Sequence, residues 1–272
     1  MSLEGGEARV DLRPVSALLP HEETIQSQVE RLAGELKRDG MQKDPIIVDH
    51  DTGAVLDGMH RLSALASMGI GYAVCFTVDY SSRAIMVKRW ARVYGARSAD
   101  QIKNTLGEAG LSERCPTSEA IEKLEDRHFA VAAMTETGGY VPSGKLELEG
   151  GFDIMRKIDE MAAAAGWTRR FLPEDDIDVP LQKRGNLILL SQRLTKQDVI
   201  TAARTKHLFP CKTSMHVIDL RPVSANVPLA ELREGSRKTL DARLRAPHTL
   251  LPPNSAYGGR RYKERLLVLG GQ

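Results

Sequence analysis

Little in this sequence supplies a covalent staple, a membrane anchor or a strong charge field. Its three cysteines, Cys75, Cys115 and Cys211, lie far apart without C-x-x-C spacing. That pattern gives neither a disulfide framework nor a zinc knuckle and fits a reducing compartment. No stretch approaches the roughly 20 apolar residues of a membrane span, and Met1 to Glu7 has neither a basic n-region nor an apolar core of a leader. A cytoplasmic protein, neither exported nor embedded, is expected. Net charge is also nearly absent: 38 Lys+Arg against 36 Asp+Glu leave +2, which gives no reason to expect tight non-specific nucleic-acid binding. His50, His128, His207 and His248 have no partner pattern for a metal.

What is present suits a globular fold. The 272 residues are 42% hydrophobic and 27% charged, enough for one large or two modest domains with a real core. Val10 to Ser16 reads as extended. Ile25, Val29, Leu32 and Leu36 then recur at helical spacing up to a Gly40 stop. Ile46-Ile47-Val48 and Ala54-Val55-Leu56 flank a Gly53 turn and predict a hairpin. His60 to Met68 predicts a helix, and alternating Tyr72, Val74, Phe76 and Val78 predict a strand. Further helices are expected around Ile85 to Val93, Ala99 to Ala109, Phe152 to Ala165 and from Thr195, with strands at Phe129 to Met134 and Leu187 to Ser191.

Composition loosens at Gly110 to Ser118, which places a boundary between domains 8–112 and 113–272. The polar 210–216 loop is a candidate site element, and the tail from Pro247 is expected to wrap the surface or move. Asp11-Leu12-Arg13-Pro14-Val15-Ser16-Ala17 recurs as Asp219-Leu220-Arg221-Pro222-Val223-Ser224-Ala225. The flanks do not repeat, so chance or two similar strand exits explain it better than a duplicated domain.

The most informative segment is Leu56-Asp57-Gly58-Met59-His60-Arg61, a strand that ends in a glycine turn and opens a helix. Unpaired backbone N–H groups at a helix start bind anions. Gly58 permits close approach, His60 and Arg61 can donate to phosphate oxygens, and Asp57 can hold Mg²⁺ or orient an acceptor hydroxyl. The bland alternative is a solvated helix start with Asp57 as its cap. Glu22 reads either as a general base or as an acid in the first turn of a helix. Trp90 either walls a pocket or packs on the core, and His21 either positions Glu22 or caps the helix.

This turn resembles that of the ParB/sulfiredoxin superfamily. Sulfiredoxins need a cysteine where Met59 stands, and a thioether cannot serve as that nucleophile. ParB partition proteins carry a different residue pair at the turn and a helix-turn-helix downstream, and no convincing one follows here. The sequence is most similar in pattern to the free-serine kinases of the same superfamily. Pro20-His21-Glu22 resembles their Pro-His-Glu element, and Asp57 to Arg61 resembles Asp-Gly-His-His-Arg with Met59 departing. Asp79-Tyr80 followed by Trp90 resembles a pattern near the amino-acid pocket. Pro210, Lys212-Thr213 and His216 resemble Pro-Lys-Thr-Thr-Arg-His, with Cys211 inserted, Ser214 for Thr and Met215 for Arg.

The resemblance implies an α/β fold: a ParB/sulfiredoxin-like N-terminal domain, a second α/β domain, and an active site in the cleft. It implies a Mg²⁺-dependent kinase that moves a phosphoryl group from ADP or ATP to free L-serine and feeds phosphoserine to cysteine or related biosynthesis. Glu22 and Asp57 would be catalytic, with Asp57 also on the metal. Gly58, Met59, His60, Arg61, Lys212, Thr213, Ser214 and His216 would hold nucleotide, and His21 and Trp90 would meet substrate. Rival readings are a kinase for another small hydroxylated metabolite and a ParB-like, nucleotide-switched DNA-binding regulator. Oligomeric state is not legible.

Overall fold

The computed structural model describes residues 2–3, 6–96 and 98–270. These fold into two compact α/β units: Met1–Met86, Lys196–Cys211 and His216–Gln272 form the first, and Val87–Thr195 with Lys212–Met215 form the second. The chain therefore does not divide at a single cut. The expected boundary at 112/113 falls inside the second unit, and the C-terminal residues return to the first.

In the first unit, strand β1 (Arg9–Pro14) precedes helix α1 (Gln26–Asp39), β2 (Ile46–Asp49), β3 (Val55–Asp57), α2 (Met59–Ser67) and β4 (Tyr72–Val78). The sheet order is β1-β4-β2-β3, with β4 antiparallel to β1 and parallel to β2, and β2 antiparallel to β3. Apolar residues on both faces, including Ile46, Val48, Val55, Leu65, Val74 and Phe76, are buried. Helix α1 ends where Gly40 turns left-handed at φ 67°, a conformation only glycine adopts readily. Before β2 begins, Gln42 continues its ladder with a side chain. The buried amide accepts from Val74 N and donates to Val74 O, both at 2.8 Å.

The second unit holds β5 (Met86–Gly95), α3 (Ala99–Ala109), β6 (Glu113–Cys115), α4 (Thr117–Glu125), β7 (Val131–Thr135), β8 (Gly138–Val141), α5 (Leu148–Ala164), β9 (Thr168–Pro173) and β10 (Asn186–Ser191). Its sheet runs β9-β5-β10-β7-β8-β6, with β11 (Ser214–Val217) off that path on β5. Val93, Met134, Ile188 and Leu190 centre its core. Residues 86–95 form a strand where the spacing predicted a helix around Ile85 to Val93. Its arginines Arg89 and Arg92 are buried. Arg89 pairs with Glu125 at 2.5 Å and Glu174 at 2.8 Å, and Arg92 pairs with Asp159 at 3.3 Å. Tertiary pairing overrides the local pattern.

The chain returns to the first unit with α6 (Lys196–Thr205), β12 (Leu220–Val223), α7 (Leu229–Glu234), α8 (Lys238–Arg245), β13 (Thr249–Leu251) and β14 (Arg265–Val268). The tail from Pro247, expected to wrap the surface or move, contributes β13 and β14 to a three-stranded sheet in the order β12-β14-β13. Val223, Tyr262, Leu266 and Val268 form its core. The two copies of the seven-residue repeat lie in different sheets: β1 is antiparallel to β4, whereas β12 is parallel to β14. Replacing Gln42 by Leu should orphan the Val74 N–H and C=O and cost about 2–4 kcal/mol, read by equilibrium denaturation with an unchanged m-value.

Candidate active site

Three consecutive residues of β3 anchor the candidate site in the first unit. His21, buried, donates from Nδ1 to the Val55 carbonyl at 2.8 Å. His216 bonds the Leu56 carbonyl and, at Nε2, meets the Tyr80 hydroxyl at 2.8 Å. A carbonyl can only accept, so the ring nitrogen facing Leu56 carries hydrogen and Nε2 accepts from Tyr80. Asp57 Oδ2 pairs with Arg221 Nη1 at 2.5 Å. The two imidazoles meet edge to face, 5.4 Å between centroids.

Glu22 is 4% exposed. It lies ahead of α1, which starts at Gln26 and has no acidic residue in its first turn; the helix-acid reading is therefore excluded. Backbone bonds fix its segment. Phe209 N donates to His21 O at 2.9 Å and Glu23 N to Phe209 O at 2.8 Å, in a parallel bridge that pairs Glu22 with Phe209. Three residues on, Ile25 N donates to His60 Nε2 at 3.0 Å. His21 Nε2 lies 3.8 Å from Glu22 Oε1. His21 is fully buried, and of its two sequence readings the geometry is that of a support for Glu22.

The helix start has the geometry of an anion cradle. Gly58, at φ 99°, is the N-cap of α2 and no side chain caps that end. This excludes Asp57 as the cap. A Cβ at residue 58 would lie 3.2 Å from Arg61 Nη1 and 3.3 Å from Ile46, a tight fit, and the positive φ itself favours glycine. Arg61 folds back to donate to Pro45 O at 2.8 Å. His60 Nε2 receives the Ile25 N–H, with Cys211 Sγ 3.9 Å away. Only Nδ1 can therefore donate from a neutral His60. The first-turn N–H groups of Met59, His60 and Arg61 have no intrahelical acceptor.

His216, expected on nucleotide phosphate, instead has both ring nitrogens committed inside the protein. Burial, with the neighbouring His21 adding to it, pushes its pKa down to about 3, and burial likewise lowers that of His21. Both rings are neutral at physiological pH and act as spacers. Tyr80 is buried, its hydroxyl pKa raised chiefly by that burial. Lys196 Nζ lies 5.3 Å from its ring centroid and donates to Ser82 O at 2.6 Å. Sequence reasoning missed Lys196 and Arg221, because each acts through tertiary contacts to residues more than 100 positions away.

In the second unit, Lys212 Nζ sits 4.8 Å from the Trp90 ring centroid, a cation–π distance. Trp90 N donates to Thr213 O at 3.3 Å. The turn is held from behind by Arg92, which reaches the Lys212 carbonyl at 3.4 Å and Asp159 at 3.3 Å. Tyr94 and Arg169 each reach the other Asp159 oxygen at 2.5 Å. Thr213 and Ser214, expected on phosphate, are buried, whereas Lys212 is partly exposed.

The sign of one pH effect follows. In the unfolded chain His216 titrates near 6.5, in the folded chain near 3. The unfolded state binds more protons between these values, so stability rises with pH across that window and is lost on acidification. His216→Asn should flatten the dependence of unfolding free energy on pH between 3 and 6.5, measured by denaturant titrations at several pH values.

No protein-family model matches the sequence. The ADP-dependent L-serine kinase SerK of Thermococcus kodakarensis is 26% identical over 221 residues, 78% of this chain and 88% of that protein. An ATP-dependent L-serine kinase of Staphylothermus marinus is 24% identical over 230 residues, 80% of this chain and 89% of that one. A ParB-like protein of Sulfolobus acidocaldarius is 35% identical over 82 residues, 30% of this chain and 41% of its own length. Among solved structures, a free serine kinase in complex with AMP superposes with a TM-score of 0.70 at 23% identity, over 82% of this chain and 93% of the other. By sequence this chain is similar to the L-serine kinases named above, and its fold is similar to that of the free serine kinase.

Proposed function

We propose that this protein is a kinase that transfers the terminal phosphoryl group of ADP or ATP to the hydroxyl of free L-serine, giving O-phospho-L-serine. The observation that carries the reading is the tie between a buried carboxylate and an anion-binding helix start. The segment bearing Glu22 is hydrogen-bonded at Ile25 to His60, on the first turn of α2. A general base and a phosphate cradle are thereby held in one fixed frame, as in-line phosphoryl transfer requires. The relatives named as ADP- or ATP-dependent L-serine kinases support the substrate pair.

In this reading the serine hydroxyl gives its proton to Glu22 as its oxygen bonds to the terminal phosphorus. The bridging P–O bond breaks, and AMP leaves from ADP, or ADP from ATP. The first-turn N–H groups after Gly58, with Arg61, offset phosphate charge.

Among the described residues no group of three or more His, Cys, Asp or Glu could hold a metal. Mg²⁺ usually takes one or two carboxylates and completes its shell with substrate phosphates and water. Asp57 would supply the carboxylate, and the ion would neutralise charge on the transferring group. The phosphoserine product would enter cysteine or related biosynthesis.

The test is phosphoryl transfer from ADP and from ATP, with Mg²⁺, to a panel of small alcohols that includes L-serine. Formation of phosphoserine by the wild type is expected. Glu22→Gln should lower kcat by about 10²–10⁴-fold with little change in nucleotide binding. Transfer to a different alcohol would replace the substrate, and no transfer to any acceptor together with salt-sensitive duplex binding would move the assignment to a nucleotide-switched DNA-binding regulator.

A further inference from the structure

Asp57 is held by an arginine that the site motifs do not contain. Arg221 lies on β12, its Nη1 2.5 Å from Asp57 Oδ2, while its Nε pairs with Glu264 Oε1. Its side chain is 16% exposed and that of Glu264 20%. Glu264 immediately precedes β14, the strand that runs parallel to β12. Both members therefore come from the C-terminal sheet, packed on the Val223, Tyr262, Leu266 and Val268 core. That sheet is pinned to the loop before β2: Ser224 N donates to Asp44 Oδ1 at 3.1 Å and Asn226 N to Lys43 O at 3.2 Å. The next residue of the same loop, Pro45, accepts from Arg61.

The charge count matters. One guanidinium between two carboxylates leaves the trio with a net charge of −1, so Asp57 is oriented without being silenced toward a cation. A one-to-one pair would be neutral. The planar guanidinium also fixes direction as an ammonium does not. The neighbouring sequence does not dictate the arrangement: in the identical segment at 11–17, Arg13 Nε is buried without a hydrogen-bond partner.

We propose that Arg221, shared with Glu264, is a positioning residue that sets the direction and charge of Asp57, which makes the C-terminal sheet part of the nucleotide-handling machinery. The proposal rests on the reading above, in which Asp57 serves the nucleotide and its Mg²⁺. Each strand contributes rigidity: a group held by residues on packed strands keeps its geometry better than one on a loop.

The test is a double-mutant cycle with Arg221→Lys, Asp57→Asn and the pair, and Glu264→Gln beside it. Arg221→Lys keeps the positive charge and guards against misfolding, which thermal unfolding of each variant checks. Arg221→Lys should lower kcat by about 10- to 100-fold, and Glu264→Gln should lower it less. In the Asp57→Asn background Arg221→Lys should cause no further loss, because its only route is then gone. Calorimetric titration with ADP should show weaker binding in Arg221→Lys with Mg²⁺ present and unchanged binding without it. Unaltered kcat in Arg221→Lys, or losses that multiply in the double variant, would overturn the proposal. Full activity of Asp57→Asn would instead remove the reading of Asp57 on which it stands.

Discussion

A three-residue strand organises the candidate site. Val55, Leu56 and Asp57 present, in succession, a carbonyl to His21, a carbonyl to His216 and a carboxylate to Arg221. Val55 and Leu56 are buried, so their carbonyls need internal partners. Satisfying them with imidazoles rather than with another strand stops the sheet at β3. It also places His21 beside Glu22, His216 beside Tyr80, and the glycine turn at the strand's end. The buried histidines stay neutral because a charged ring there would lose its hydration. Neutral rings can then separate a carboxylate from the backbone without adding charge near a phosphate.

The same economy recurs in the second unit. Arg92, on a buried strand, pairs with Asp159 on α5, and its guanidinium also holds the Lys212 carbonyl. The ammonium of Lys212 is then stacked on Trp90. In this unit a charged side chain that resembles surface decoration in sequence holds the backbone of the Lys212 turn.

Much of the first unit was legible beforehand because its signals are local. The helix spacing from Ile25 to Leu36, the Gly40 stop, the Gly53 turn and the alternation from Tyr72 to Val78 each depend on a few neighbouring residues, and each formed as read. The Gly58 turn was legible for the same reason. What failed was non-local. The strand 86–95 reads as helical in sequence, yet its buried arginines find partners at Glu125, Asp159 and Glu174. The tail reads as wrapping the surface or moving, yet Leu266 and Val268 share a core with Val223 and Tyr262. The partners of His21 and His216 were not legible, because the Val55 and Leu56 carbonyls and the Tyr80 hydroxyl lie more than 30 residues away in sequence.

The most direct measurement is a crystal structure of the complex with ADP and L-serine. The terminal phosphate should lie on the first-turn N–H groups of Met59 to Arg61, with the serine hydroxyl within about 3 Å of the Glu22 carboxylate. A nucleotide bound away from Gly58, or a serine hydroxyl out of reach of Glu22, would contradict the assignment of base and cradle.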